Sequence, residues 1–120
     1  MRFEKKNMYE KSEEFALRIV KLFKHLQGNA KEFVLSKQIL RSGTSIGANL
    51  SEARGAESTR DYIHKLHISF KETYETQYWL RLLYKSDYLN SKQFEALDSG
   101  CTDLRNQIAR TLISQKKKLK

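Results

Sequence analysis

The sequence predicts an all-α protein with the architecture of an antiparallel up-down four-helix bundle. Apolar residues recur at steps of three and four in four separate segments, and no segment alternates with the period of two that a half-buried strand requires. The 120 residues contain no proline, so nothing forces a long helix to stop early. Connections of only a few residues require consecutive helices to fold back on one another.

The first two helices are separated by a short break at Gly28 and Asn29. The first helix ends at Gly28, and its apolar stripe consists of Met8, Phe15, Ile19, Leu22 and Leu26. Asn29 is predicted as the N-cap of the second helix, because Glu32 lies three residues further on, as in a capping box. The second helix runs toward Gly55, with an apolar side formed by Leu35, Ile39, Ile46, Leu50 and Ala53.

The third helix is opened by Ser58 and Asp61, which have the spacing of an N-terminal capping pattern. Its stripe has heptad-like spacing and contains Ile63, Leu66, Phe70, Leu80 and Tyr84. Thr73 and Gln77 occupy the two interior steps of that stripe. We therefore predict a core that is not wholly apolar.

The fourth helix begins after Asn90, with Gln93 at the position that completes a capping box. Leu89 and Phe94 are spaced as a hydrophobic staple. The apolar stripe of this helix consists of Phe94, Leu97, Cys101, Leu104, Ile108 and Leu112. This pattern predicts a fourth amphipathic helix, weakened locally by Gly100.

Length and composition predict a single domain over residues 1–120, with a short basic tail at about 115–120. Cys101 is the only cysteine, which excludes an internal disulfide and favours a reducing compartment. The stretch MRFEKKNMYEKSEEFALRIV contains four glutamates and no continuous apolar run, so we expect neither a signal peptide nor a membrane span. These features predict a cytoplasmic protein without a membrane partner.

The stretch RSGTSIGANLSEARG, residues 41–55, contains the most explicit suggestion of catalysis. Its GTSIG matches the G-x-S-x-G pattern of a hydrolase nucleophile elbow, with Ser45 as the nucleophile. An elbow needs a strand before that serine, whereas the preceding KEFVLSKQILRS has the pattern of a helix. The lysine that follows the last glycine of a nucleotide-binding loop is also missing. We predict no catalytic residues here and no enzymatic activity.

Helical spacing gives the same stretch a role in packing. Small residues at steps of four form one slanting ridge that a neighbouring helix can approach closely: Gly43, Gly47, Ser51 and Gly55. A polar stripe lies on the other side and is able to hydrogen-bond across a contact: Arg41, Ser45, Asn49 and Glu52. Each helical glycine costs roughly 1 kcal/mol, which packing must offset. We predict that the ridge and the stripe serve helix packing or oligomerisation.

Two other groups of residues have competing interpretations. Asp61, His64 and His67 lie at successive steps of three, but a second ligand cluster is missing, so we expect no metal. No cofactor and no small-molecule substrate are expected either. Several aromatic residues of the third helix are candidates either for stacking on bases or for core and subunit contacts, and their helical spacing favours contacts: Tyr74, Tyr78, Trp79 and Tyr84.

The run QILRSGTSIGANLSEARGAESTRDYIHKLHISFKETYETQYWLRLL, residues 38–83, resembles the core of the bacterial four-helix bundle proteins related to those encoded in 23S rRNA intervening sequences. The resemblance rests on Asp61-Tyr62-Ile63, on KETYETQYWLRLL, and on an S-I-x-x-N-[IL]-x-E pattern at Ser45, Ile46, Asn49, Leu50 and Glu52. It extends over residues 8–114. The chain departs slightly from the family pattern where Ala53 and Arg54 precede Gly55.

This resemblance implies an antiparallel four-helix bundle, commonly assembled as a ring-shaped homopentamer, with no established enzymatic activity. More distantly, the chain resembles the accessory proteins of diversity-generating retroelements, which are basic bundles that engage nucleic acid and a reverse transcriptase. From this second resemblance we take only a tendency to bind nucleic acid. The expected partners are therefore further copies of the chain and a nucleic acid.

The charge of the chain is suited to a polyanion. Lysine and arginine number 23 against 14 acids, which gives a net charge of +9. The candidate phosphate contacts are Lys5, Lys6, Arg54, Arg60, Arg105, Arg110, Lys116, Lys117, Lys118 and Lys120. Two functions remain open. The favoured one is a homo-oligomeric scaffold that binds RNA or DNA through the backbone; the alternative is a protein–protein adaptor whose charge serves only solubility.

Overall fold

The computed structural model describes residues 6–119, which form four α-helices: α1 (Met8–Gly28), α2 (Leu35–Ala53), α3 (Thr59–Lys85) and α4 (Ser91–Lys117). Each helix packs against two others around a square, so that α1 and α3 each contact both α2 and α4. Glu52, near the end of α2, pairs with Lys65 near the start of α3, whereas Arg41, in the first half of α2, pairs with Glu72 further along α3, as antiparallel packing requires. The predicted antiparallel four-helix bundle is confirmed. No helix within residues 6–119 is long and apolar enough to cross a bilayer.

Short-range capping signals fix the starts of α3 and α4. The Ser58 hydroxyl accepts a hydrogen bond from the backbone N–H of Asp61 at 3.1 Å. Asn90 and Gln93 form the predicted capping box, in which each side chain accepts from the backbone N–H of the other residue. Both predicted helix starts are confirmed. Each could be predicted from the sequence because the two residues of the cap are only three positions apart.

The predicted start of α2 is wrong. Asn29 is the C-cap of α1, where its backbone N–H donates to the carbonyl of His25. Lys31 follows in a left-handed conformation, with φ at 58°, so the chain cannot continue directly into a helix. Glu32 instead caps α2 from outside, because its carboxylate accepts from the N–H groups of Val34 at 3.3 Å and Ser36 at 2.7 Å. The helix therefore begins at Leu35.

The core is one apolar cluster with polar groups on its α3 side. Its fully buried large side chains come from all four helices and include Ile19, Leu26, Ile39, Ile46, Leu50, Leu66, Leu80, Leu83, Leu104 and Ile108. Thr73 and Gln77 are buried, as the two polar steps of the α3 stripe predict. Thr73 donates to the carbonyl of Phe70 at 2.6 Å, and Gln77 donates to the Thr102 hydroxyl at 2.8 Å. These bonds offset the cost of burying polar groups.

Glycines on α2 allow α1 to approach it closely. A Cβ at Gly43 would lie 2.8 Å from Cγ1 of Ile19, and one at Gly47 would lie 3.1 Å from Oγ of Ser12. Any larger side chain at Gly43 therefore has to displace the fully buried Ile19. Ser51 is exposed and Gly55 lies beyond the end of α2, so the close contact within the chain covers only the first half of the predicted ridge.

We expect Gly43→Ala to destabilise the protein despite alanine's higher helix propensity. The added methyl group cannot fit without moving Ile19, and overpacking of this kind costs about 1 to 3 kcal/mol. Gly28→Ala is the matched control, because a Cβ there meets no atom of the described chain within 4 Å. The urea concentration at the unfolding midpoint measures the stability of each variant relative to the unaltered protein. Equal midpoints for Gly43→Ala and Gly28→Ala would contradict tight packing at Gly43.

Candidate functional site

The solvent-facing side of α3 carries a continuous stripe of basic and aromatic residues. They alternate at steps of four and three, which places them on one side of the helix. We call this stripe the basic α3 face; it consists of Arg60, His64, His67, Lys71, Tyr74, Tyr78, Arg81 and Lys85. Its ends are separated by about 37 Å at the helical rise of 1.5 Å per residue. No position of the stripe is acidic.

The acids of α3 are engaged away from this face. Arg41 of α2 contacts Glu72 at 3.3 Å and also pairs with Glu75. Glu75 additionally accepts a hydrogen bond from the indole N–H of Trp79 at 3.1 Å. Asp61 accepts from the backbone N–H of Glu57 in the turn that precedes α3. Within residues 6–119, no basic residue of the α3 face forms an ion pair, so its positive charge is not neutralised by described side chains.

Two tyrosines lie exposed in the middle of the basic α3 face. Tyr74 is 54% exposed and Tyr78 is 47% exposed, although both belong to a helix that is buried on its other sides. The guanidinium of Arg105, on α4, lies 4.5 Å from the centre of the Tyr74 ring. Arg105 also donates to the side-chain oxygen of Gln77, which anchors it to the polar part of the core. The core thus fixes a cation beside an exposed aromatic ring.

The end of α4 extends the positive charge of the face. Lys116 and Lys117 lie in the last turn of α4, where cations interact favourably with the helix dipole. The predicted tail therefore begins as helix, and only Lys118 and Leu119 follow it within the described residues. Burial lowers the pKa of His67, and the positive charges of Lys116 and His64 lower it further. Lys116 is therefore close enough to His67, a member of the basic α3 face, for the two charges to interact.

The other predicted phosphate contacts are divided between this face and more distant sites. The structure brings Arg60, Arg105 and Lys116 together with α3. Arg54 instead lies 4.0 Å over the ring of Tyr9, and Lys6 pairs with Glu14, both on the α1 side of the bundle. Arg110 is exposed beside the start of α1. Lys5 and Lys120 lie outside the described residues.

Sequence reasoning missed several members of the face. Lys71, Arg81 and Lys85 were not selected, and His64 and His67 were considered only as metal ligands. Their spacing was visible in the sequence, since they follow the heptad-like pattern on the side of α3 opposite its apolar stripe. Grouping cations by helical face, instead of by density along the chain, would have found them.

The polar stripe of α2 makes its contacts within the chain. Ser45 donates to the carbonyl of Arg41 at 2.6 Å, and Asn49 donates to the carbonyl of Ser45 at 2.8 Å. Glu52 lies 3.9 Å from Lys65 of α3. Gly47 and Ser51 line a groove of about 380 Å³ between α1 and α2. Among these contacts, those of Arg41 and Glu52 reach α3, whereas those of Ser45 and Asn49 stay within α2. The predicted role of the stripe in oligomerisation stays a prediction.

The hydroxyl and thiol groups that could act as nucleophiles already form hydrogen bonds within the protein. Ser45 lies in the middle of α2, with no strand before it, and its hydroxyl is bonded to its own helix. Cys101 is buried and its thiol donates to the carbonyl of Thr73 at 3.3 Å. Burial raises the pKa of Cys101 to about 12, so the reactive thiolate is scarce at neutral pH. In residues 6–119, no three metal-ligating side chains come together.

These features define a basic all-α bundle whose main chemical feature is a charged and aromatic helix face. The chain belongs to the 23S rRNA-intervening sequence protein family, whose profile matches residues 4–110. It is similar to a crystal structure from Bacteroides thetaiotaomicron, described as a protein with unknown function from the S23 ribosomal protein family. The two share 48% sequence identity and a TM-score of 0.87, over 88% of this chain and 94% of that one. No curated protein matches the chain.

We expect the Cys101 thiol to resist modification in the folded protein. Raising its pKa from 9.0 to about 12 reduces the thiolate population by about three orders of magnitude, and burial also excludes the reagent. Reaction with a chromogenic disulfide at mildly alkaline pH, with and without guanidinium, measures this protection. Native labelling as fast as that of the unfolded chain would show that Cys101 is accessible.

Proposed function

We propose that this protein is a non-enzymatic, homo-oligomeric basic bundle that binds RNA or DNA in the cytoplasm through the phosphate backbone. The observation that carries the proposal is the basic α3 face, on which cations recur without an interspersed acid. A helix face that served solubility alone would be expected to carry charges of both signs. A one-signed stripe is suited to a polyanion.

Phosphate binding has a physical source of free energy on this face. Arg60, Lys71, Arg81 and Lys85 are exposed, so phosphates can reach them without prior rupture of an ion pair among residues 6–119. Each contact releases counterions condensed on the nucleic acid, which drives association at low salt. Lys116 and Arg105 add further charge at the edge of the same face.

The relatives' names agree with this proposal. The family's name refers to 23S rRNA, and the similar crystal structure is named as a member of a ribosomal protein family. Neither name states which molecule is bound. The occupied hydroxyl of Ser45 and the buried thiol of Cys101 support the non-enzymatic part of the proposal. A single cysteine that is kept as a thiol is compatible with the cytoplasm.

A protein adaptor is the alternative function, and one group of residues favours it. Phe33 and Val34, in the connection between α1 and α2, are 51% and 70% exposed, and Leu17 on α1 is 64% exposed. Exposed apolar side chains can be covered by another protein. In a homo-oligomer, a second copy of this chain would cover them, so the same residues also support self-association.

We expect reversal of two charges on the basic α3 face to weaken nucleic-acid binding. Lys71→Glu combined with Arg81→Glu removes two phosphate contacts and adds repulsion. The slope of log affinity against log salt should therefore fall by about 0.7 to 0.9 for each lost contact. Lys21→Glu combined with Lys24→Glu is the matched control, since it changes the net charge equally on α1, diagonally across the bundle.

Filter-binding titrations with structured RNA across a range of salt concentrations compare these variants. The proposal requires the α3 pair to lose both affinity and salt dependence while the α1 pair remains close to the unaltered protein. Equal losses in both variants would show that net charge acts without a defined face. An affinity of the unaltered protein that is insensitive to salt would favour the adaptor.

We expect the protein in solution to contain several chains per particle. The resemblance described above implies a pentamer, which corresponds to about 70 kDa for five chains of 14.1 kDa. Light scattering at micromolar concentration measures this mass directly. Val34→Asp should weaken the assembly if the exposed loop is covered by another copy, and Ser91→Asp, at another exposed position, is its control. A monomeric mass would remove self-association from the proposal.

A further inference from the structure

We propose that the basic α3 face binds single-stranded nucleic acid, with Tyr74 and Tyr78 stacking on unpaired bases while the flanking cations contact phosphates. This inference rests on the proposed function, because it specifies the class of nucleic acid that the same face recognises. It is carried by the position and exposure of the two tyrosines, which phosphate binding alone does not use.

The two rings lie where a strand held by the cations would place its bases. Lys71 precedes Tyr74, and Arg81 follows Tyr78, so the aromatic pair is bracketed by cations on the same helix side. Tyr74 and Tyr78 are four residues apart, which corresponds to about 6 Å along the helix axis. Both are about half exposed, so each ring has surface that is free for a further contact.

The surroundings of each ring hold it in place. Phe70 packs edge-on against Tyr74, with 5.4 Å between the ring centres, and Arg105 lies over the Tyr74 ring. Trp79 packs edge-on against Tyr78 at 5.0 Å. Rings that are already ordered lose less conformational entropy when a base stacks on them. Arg105 also supplies a planar cation on which a neighbouring base can stack.

These features favour a single strand over a duplex. Bases in a duplex are stacked on one another, so their faces are closed to tyrosine rings, whereas the faces of unpaired bases are free. A duplex would meet only the cations of the face and would leave both tyrosines unused. Because every base has an aromatic face, stacking of this kind predicts little preference for sequence.

The first measurement needs no variant. A mixed-sequence single-stranded RNA of about twenty nucleotides is titrated in parallel with the same RNA annealed to its complement, at one salt concentration. We expect the single strand to bind roughly tenfold or more tightly than the duplex, since base–aromatic stacking is worth about one order of magnitude per base. Equal affinities, or a preference for the duplex, would overturn the inference and leave backbone binding intact.

The second measurement separates the aromatic plane from its bulk. Tyr74→Leu and Tyr78→Leu retain an apolar side chain but remove the plane, and each should lower single-strand affinity roughly tenfold. Tyr74→Phe and Tyr78→Phe should retain affinity. Tyr88→Leu is the control, because Tyr88 is 37% exposed in the turn after α3 and lies off the face. Urea midpoints establish that the variants remain folded.

The outcomes distinguish this inference from the proposed function and from a protein contact. Leucine variants that bind single strands normally would overturn the role of the tyrosines. A drop in particle mass for the leucine variants, with unchanged RNA affinity per chain, would identify the face as a contact between copies. If the unaltered protein binds neither the single strand nor the duplex, the proposed function itself is wrong. If a leucine variant unfolds, the affinities of the unaltered protein for single strand and duplex still test the inference.

Discussion

The arrangement of the molecule depends on the long, uninterrupted helix α3, which faces α2, α4 and solvent along its length. Its Thr59–Lys85 span contacts α2 on one side and α4 on another, and it presents the third side to solvent. The α2 side carries Ser69, whose hydroxyl donates to the carbonyl of Ile46 at 2.8 Å, and Glu72, which pairs with Arg41. Placing the acids on this side leaves the solvent side basic. The same helical repeat thus determines both the packing and the sign of the exposed charge.

Buried polar groups connect the core to the basic α3 face. Gln77 is buried and uses its amide to reach Thr102 on α4, while its oxygen accepts from Arg105. A buried amide left without partners would cost about 1 to 3 kcal/mol, so this arrangement is held firmly once the core forms. Arg105 is thereby fixed over Tyr74 rather than free to move as an exposed cation. The position of one charge on the surface is consequently set by hydrogen bonds in the interior.

The sequence predicted the features that depend on near neighbours and missed those that depend on three-dimensional context. The caps at Ser58 and Asn90 were predicted correctly, because their partners lie three residues away. The prediction of Asn29 as an N-cap was wrong because Lys31 takes a left-handed conformation, so Asn29 and Glu32 do not lie in the same helical turn. Glu72 and Glu75 pair with Arg41, which lies more than thirty residues away, so helical spacing within α3 does not identify their partner. The spacing of the basic α3 face could be predicted from the sequence. That Glu72 and Glu75 pair with Arg41 of α2 could be seen only in the three-dimensional structure.

The pattern of the face limits the repulsion between its own charges. Arg81 and Lys85 are four residues apart, and like charges at that spacing cost roughly 0.2 to 0.5 kcal/mol in a helix. Between Lys71 and Arg81 the stripe places Tyr74 and Tyr78, which separates those cations by about 15 Å along the axis. This distance exceeds the Debye length of about 8 Å at physiological salt, so their mutual repulsion is largely screened. Uncharged polar residues would separate the charges equally well and would avoid exposing apolar rings to water. The choice of tyrosine at both positions is therefore not explained by electrostatics or by solubility, and the proposed stacking on a base would supply the favourable contact that exposure alone lacks.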